Sequence, residues 1–108
     1  KIYLGDEGAR EIRPVLDKKG YEIGEKEECD CEIYFPDFKD PEEVADIINS
    51  AYEVALGGYG TLLVGLGDGE SKKITDLIKE IGANSEGIIL KDKKEILNYI
   101  KHDKRRKI

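Results

Sequence analysis

The sequence contains no methionine, no tryptophan, two cysteines and a single histidine among its 108 residues. The core is therefore expected to consist of Ile, Leu, Val and Tyr side chains. Cys29 and Cys31 are too close in sequence for an easy disulfide, so a disulfide framework of the secreted type is not predicted. A metal site on these thiols would need further soft ligands, and His102 lies far along the chain. We therefore interpret both cysteines as small buried side chains.

Long apolar runs and excess positive charge are also missing. No stretch of 18 apolar residues is present and the opening segment KIYLGDEG is unlike a signal peptide, so we expect a cytoplasmic protein that does not enter a membrane. Lys and Arg number 18 against 24 Asp and Glu, and the net charge of −6 disfavours binding to nucleic acid or anionic membranes. The basic segment KHDKRRKI is interpreted as a solvated helix end, with a nucleic-acid contact as the alternative. The abundance of Lys, Glu and Ile is typical of thermophilic proteins.

Strand-like and helix-like segments alternate along the chain without a linker or an internal repeat, so residues 1–108 are predicted to form a single domain. The segments with a strand pattern are KIYL, YEI, CEIYF, TLLVGL and GIIL. TLLVGL is apolar throughout, which predicts a strand that is covered on both faces. The order of segments indicates an α/β fold, and specifically a three-layer α/β/α Rossmann-like domain with a mostly parallel five-stranded sheet.

The helix pattern is clearest where capping residues accompany it. Residues 7–19 have a helical apolar face, in which Pro14 either kinks the helix or marks a later start. The strongest prediction is a helix with Asp40 as its N-cap and Glu43 completing a capping box. Asp92 is the predicted N-cap of the last helix. The second and third strand segments are separated by the acidic stretch 25–30 instead of a helix.

The segment GTLLVGLGDGES, residues 60–71, is the most distinctive part of the sequence. Gly65, Gly67 and Gly69 follow an apolar strand and precede a helix, so their backbone N–H groups can face an anion or a developing oxyanion. Asp68 and Glu70 in the same loop oppose a phosphate. The alternative is a tight turn in which glycine only relieves crowding. In a parallel sheet, ligands bind beyond the carboxyl ends of the strands, where this loop is predicted to lie.

Four segments resemble, in order and spacing, the ribose-5-phosphate isomerase B and galactose-6-phosphate isomerase family. They are KIYLGDEGAREIR, KKGYEIGE, YFPDFKDPEEVADII and GTLLVGLGDGES, and the resemblance covers about residues 1–74. It implies an aldose–ketose isomerase fold without a cofactor, a homodimer, and a loop cysteine that transfers the proton. At the position of that cysteine this chain has Val64, and Leu66 replaces the loop threonine. The family's histidine near the first strand is replaced by Glu7.

The resemblance therefore implies a shortened, degenerate member of the family. Replacing a proton-transferring thiol by an isopropyl group removes a contribution of roughly 10² to 10⁴ in rate. We expect a non-catalytic isomerase-like domain that acts as a small-ligand-binding or structural module, forms a homodimer and accepts a small anionic ligand. The residues that the resemblance assigns to the ligand are Asp6, Glu7, Gly65, Gly67, Gly69 and Ser71.

Two other functions remain open on the sequence. A receiver-like pocket would bind a divalent cation through Asp6, Glu7 and Asp37, with Lys91 after the last strand. The missing helix before the third strand and the glycine at position 65 argue against that arrangement. A sugar-phosphate isomerase could instead use Glu7 or Glu70 as a carboxylate base, provided that burial raises its pKa.

Overall fold

The computed structural model describes residues 1–57, 60–67 and 72–102. It is an α/β fold with a parallel four-stranded sheet, which confirms the predicted class with one strand fewer than expected. The strands, in both chain and sheet order, are β1 Ile2–Leu4, β2 Cys31–Tyr34, β3 Thr61–Leu66 and β4 Ile88–Asp92. The helices are α1 Glu7–Arg10, α2 Arg13–Lys18, α3 Pro41–Gly57, α4 Lys72–Ile81 and α5 Lys93–Lys101, with a short 3₁₀ turn at Lys26–Glu28.

The segment YEI, predicted as a fifth strand, is reduced to one parallel bridge between Ile2 and Ile23. The backbone N of Ile2 donates to the carbonyl of Glu22 at 2.8 Å, and the backbone N of Gly24 donates to the carbonyl of Ile2 at 3.0 Å. Farther along, the backbone N of Gly5 donates to Ile33 of β2. Because successive residues of a strand direct their hydrogen bonds to opposite sides, the segment 21–23 lies on the side of β1 away from β2.

Helix boundaries follow the capping chemistry. Residues 7–19 form two helices, and Pro14 lies at the start of the second, where its missing N–H costs nothing. Asp40 Oδ1 accepts a hydrogen bond from the backbone N of Glu42 at 3.0 Å, so Asp40 caps α3 as predicted. Glu43 Oε1 accepts from the backbone N of Asp37 at 3.3 Å and thereby holds the loop before the helix. Asp92 caps α5 as predicted, with its Oδ1 2.8 Å from the backbone N of Glu95.

The core consists of two clusters of buried side chains, and neighbouring residues of one strand belong to different clusters. Ile33 and Leu63 belong to the cluster that also contains residues of α2 and α5, whereas Tyr34 and Leu62 belong to the cluster with residues of α3 and α4. This alternation follows from the pleat of the strands. Strand β3 therefore contributes to both clusters, as its continuous apolar sequence predicts. Each fully buried Leu or Ile side chain stabilises the fold by about 1.5–3 kcal/mol.

Among the helices of the described ranges, none combines the length and the apolar composition that crossing a bilayer requires.

Candidate functional site

Asp6 lies directly after β1, at the carboxyl edge of the sheet, and its residue is only 4% exposed. Its Oδ1 atom accepts hydrogen bonds from the backbone N of Ala9 at 2.8 Å and from the backbone N of Phe35 at 3.0 Å. The same oxygen thus caps α1 and joins the residues that follow β1 and β2. The other oxygen, Oδ2, is buried and has no hydrogen-bond partner within the described part of the chain.

Burial is the main influence on the Asp6 carboxyl, and it raises the pKa of this group. The hydrogen bonds from Phe35 and Ala9, and the nearby charges of Arg10 and Lys93, lower the pKa and offset part of that effect. A buried carboxyl oxygen without a donor is costly, because it has lost water and gained nothing in exchange. The Oδ2 atom of Asp6 is therefore the atom at this edge that most lacks a partner.

Chain topology gives this position further meaning. From β1 the chain passes to the bridge segment on one side of β1 and then returns to β2 on the other side. The carboxyl ends of β1 and β2 therefore flank a topological switch point, which is where ligands bind in open parallel sheets. Asp6 lies at that point.

Phe35 fills the space between Asp6 and the glycine loop. A Cβ atom on Gly65 would lie 2.2 Å from the Phe35 ring, and one on Gly8 would lie 2.5 Å from the Phe35 carbonyl oxygen. The Nζ atom of Lys93, at the start of α5, lies 5.3 Å from the centre of the same ring. Glycine at position 65 is therefore required by the packing of Phe35, which supports the crowding explanation of this glycine over a direct ligand contact.

The structure describes only some of the other residues that the sequence predicts for the ligand site in the segment 60–71. Gly67 is exposed just beyond the end of β3, where a ligand can reach it. Gly69 and Ser71, with Asp68 and Glu70, lie outside the described residues. Val64 is fully buried, pairs with Tyr34 and Leu90 across the sheet, and lies two residues before the end of β3. Its side chain belongs to the core cluster with α3 and α4, so packing explains the hydrocarbon there. The inference from Val64 to a lost reaction has no support in the structure.

The acidic residues of the receiver-like alternative do not form a metal site. Glu7 and Asp37 are both exposed, and Asp37 Oδ1 accepts from the backbone N of Lys39 at 2.9 Å. No group of three or more His, Cys, Asp or Glu side chains within residues 1–57, 60–67 and 72–102 is placed to hold a metal ion. The structure therefore counts against a divalent-cation site at Asp6, Glu7 and Asp37. Lys91 is exposed on the edge strand β4.

Three residues of this edge were not among the predicted site residues: Phe35, Glu43 and Lys93. Burial raises the pKa of Glu43, and the charge of Asp6 raises it further, which places the two carboxyls within electrostatic reach of each other. The sequence pattern predicts Glu43 as part of a capping box and gives Lys93 no role. Both residues lie in the first turn of a helix that follows a strand. Such turns face the carboxyl edge of the sheet, so this position in the sequence could have identified Glu43 and Lys93 as candidate site residues.

No family model matches this chain, and no curated protein or solved structure matches it either. The resemblance to sugar-phosphate isomerases consequently depends on the four quoted segments alone.

Proposed function

We propose that this chain is a non-catalytic small-ligand-binding domain with its site at the carboxyl edge of the sheet. The observation that carries this proposal is the buried Asp6 carboxyl, whose Oδ2 has no described partner at the switch point. A ligand hydroxyl is the simplest donor for that oxygen. The ligand class is a polyhydroxylated small molecule, either a sugar or a sugar phosphate, in line with the resemblance.

The charged side chains at this edge bear on whether the ligand is a sugar or a sugar phosphate. Asp6, Glu7 and Glu43 oppose an anionic group, whereas Lys93 and Arg10 attract one. The anionic ligand expected from the sequence thus requires its phosphate to lie on the side of Lys93, while its hydroxyl groups approach Asp6. Because Oδ2 is covered, binding requires a local shift of the residues around it, and a test has to detect conformational change as well as contact.

The test is a backbone amide-shift titration with ribose, ribose 5-phosphate, inorganic phosphate and Mg²⁺. We expect shifts at Asp6, Phe35 and Gly67 with ribose 5-phosphate, weaker shifts with ribose, and none there with Mg²⁺. The Asp6→Asn variant replaces one potential acceptor oxygen by a donor and is expected to weaken binding, whereas the matched Asp37→Asn variant at an exposed carboxylate is not. An absence of shifts at this edge with every sugar and phosphate probe would contradict the proposal.

A sugar-phosphate isomerase with a carboxylate base is the second candidate function. One observation favours it: burial raises the pKa values of both Asp6 and Glu43 at the same edge, and a raised pKa is what a carboxylate base needs to work near neutral pH. The bases considered from sequence fit less well, since Glu7 is exposed and Glu70 lies outside the described residues. Incubation with ribose 5-phosphate and an assay for ribulose 5-phosphate decides between the two candidates, because the binding proposal predicts no turnover above background.

The finer description of the fold is also part of the proposal. We infer a three-layer α/β/α arrangement in which the bridge at Ile23 is the remnant of a fifth strand. The two core clusters support the layers, since each combines sheet residues with helix residues. The parallel bridge between Ile2 and Ile23 supports the fifth strand. A cytoplasmic location stays a prediction.

A homodimer formed through α3 is the partner that we propose. Leu56 is 84% exposed and Tyr52, one turn earlier on the same helix, is 47% exposed, which leaves apolar surface that a second copy would cover. Sedimentation equilibrium tests this directly. A dimer that the Leu56→Glu variant dissociates would support the proposal, and a strict monomer at high protein concentration would contradict it.

A further inference from the structure

A cavity lies at the edge of the sheet opposite to Asp6, where the strands begin. Its volume is about 460 Å³, within the range of small-molecule sites. Its walls combine polar atoms with apolar and aromatic side chains, the latter from Ile2, Tyr21, Ile33, Leu63, Tyr99 and Ile100. Four of these residues, Ile2, Ile33, Leu63 and Ile100, are at most 4% exposed, so the walls belong to the packed core.

The rim of this cavity carries acidic side chains. Asp30 and Glu86 both line it, and no Lys, Arg or His of the described residues does so. The backbone N of Thr61 donates to the carbonyl of Asp30 at 2.9 Å, and the backbone N of Leu62 donates to the carbonyl of Gly87 at 2.7 Å. The backbone at Asp30 and beside Glu86 is thereby held next to the start of β3. The two carboxylates belong to the bends that precede β2 and β4.

Both carboxylates are open to solvent, since the Asp30 side chain is 72% exposed and Glu86 is exposed as well. A cavity with tyrosine rings in its wall and two carboxylates at its rim complements an organic cation, because the rings attract positive charge as the carboxylates do.

We propose that this cavity binds a small amine that joins an ammonium group to an apolar body. The body lies against Leu63 and Ile33, and the ammonium group lies at the rim beside Glu86. This site is independent of the one at Asp6, since the two lie at opposite ends of the strands.

The test compares three probes that share a phenylethyl group: phenethylamine, 2-phenylethanol and 3-phenylpropanoate, each titrated while backbone amide shifts are recorded. We expect phenethylamine to shift the amides of Leu63, Ile89 and Ile100, the alcohol to shift them with lower affinity, and the carboxylate to leave them unchanged. The Glu86→Gln variant is expected to weaken the amine about two- to fivefold and to leave the alcohol unaffected. The matched variant Glu80→Gln, at an exposed carboxylate of α4, is expected to change neither.

Three outcomes overturn the proposal. The first is an absence of shifts at Leu63 and Ile89 with the amine, and the second is equal affinity for the amine and the carboxylate. The third concerns the chain's own basic segment, residues 103–108, which follows α5 in the sequence. Suppose that deleting this segment shifts the amides of Leu63, Ile89 and Ile100 without any probe, and that the amine binds only after the deletion. The natural occupant of the cavity is then this segment rather than a small amine.

Discussion

Asp6 and Phe35 are joined across the carboxyl edge of the sheet by a 3.0 Å hydrogen bond from the backbone N of Phe35 to Asp6 Oδ1. The same oxygen receives the backbone N of Ala9 at 2.8 Å. One atom therefore fixes the chain after β1, the start of α1 and the chain after β2. The second oxygen of the carboxyl takes no part in this and is buried without a hydrogen-bond partner among the described residues.

Replacement of Asp6 by alanine is expected to lower the free energy of unfolding by about 1–3 kcal/mol, because two buried backbone N–H groups lose their acceptor. Asp6→Asn keeps an acceptor oxygen of the same reach and is expected to cost less. Urea denaturation of the two variants and the parent measures both values. An alanine variant as stable as the parent would show that Asp6 does not hold this edge together.

The pH dependence of stability follows from the raised pKa of Asp6. Burial raises this pKa above its ordinary value of 3.8, so the folded state holds the proton more tightly than the unfolded state. The contribution of the protonated Asp6 carboxyl to the free energy of unfolding is fully present below about pH 3.8. It is lost as the pH rises through the folded-state pKa. Glu43 has the same sign, since burial raises its pKa as well.

The measurement is the difference in unfolding free energy between the parent and Asp6→Asn at several pH values. Asparagine does not titrate, so the parent is expected to lose stability relative to the variant as the pH rises above 3.8. Glu43→Gln serves as the control for the neighbouring carboxyl. A difference that is constant, or that changes with the opposite sign, would contradict the assigned environment of Asp6.

Tyr34 is the buried polar residue between β2 and α3. Its hydroxyl is 2.7 Å from Ser50 Oγ and donates to Glu32 Oε1 at 2.9 Å. We expect Tyr34→Phe to cost about 0.5–1.5 kcal/mol, since it leaves Ser50 fully buried with one partner fewer. Tyr52→Phe removes a hydroxyl from a half-exposed tyrosine and is the matched control, expected to be nearly neutral. Equal effects of the two changes in thermal denaturation would count against the buried network.

Gly65 has a packing role that a single methyl group tests. A Cβ atom there would lie 2.2 Å from the Phe35 ring and 3.3 Å from the Cα atom of Lys93. Gly65→Ala is therefore expected to cost about 1–3 kcal/mol. Adding Phe35→Leu is expected to recover part of that loss, as contacting residues are not additive. Gly67→Ala, at an exposed glycine of the same loop, is the control, and a similar loss there would indicate that the loop's backbone, not Phe35, requires glycine.

Much of the fold was predictable from local sequence patterns. The apolar run TLLVGL identified a strand buried on both faces, and the caps at Asp40 and Asp92 located two helix starts. Pro14 allowed two interpretations, and the structure adopts the later start. YEI has a strand's pattern, yet only Ile23 pairs, because the turn at Gly20, with φ of +83°, and the 3₁₀ turn at Lys26–Glu28 leave it little length.

The site was less predictable, since its geometry depends on contacts between distant segments. Position 6 could be chosen from the sequence because a polar residue follows the first strand. The contact between Phe35 and Gly65 could not, as nothing near either residue indicates that a ring fills the space above the glycine. Val64 was assigned a functional meaning from a resemblance, and only the pairing register shows that its side chain belongs to the core.

The side-chain carboxyl ¹³C resonance of Asp6 reports most directly on whether a ligand binds at the Oδ2 atom of this residue. Titration with ribose 5-phosphate is expected to move this resonance until binding saturates, while the carboxyl resonance of Asp37 stays in place. If the Asp6 resonance does not move at any concentration of the sugar phosphate, or moves only together with that of Asp37, the carboxyl edge around Asp6 is not the ligand site.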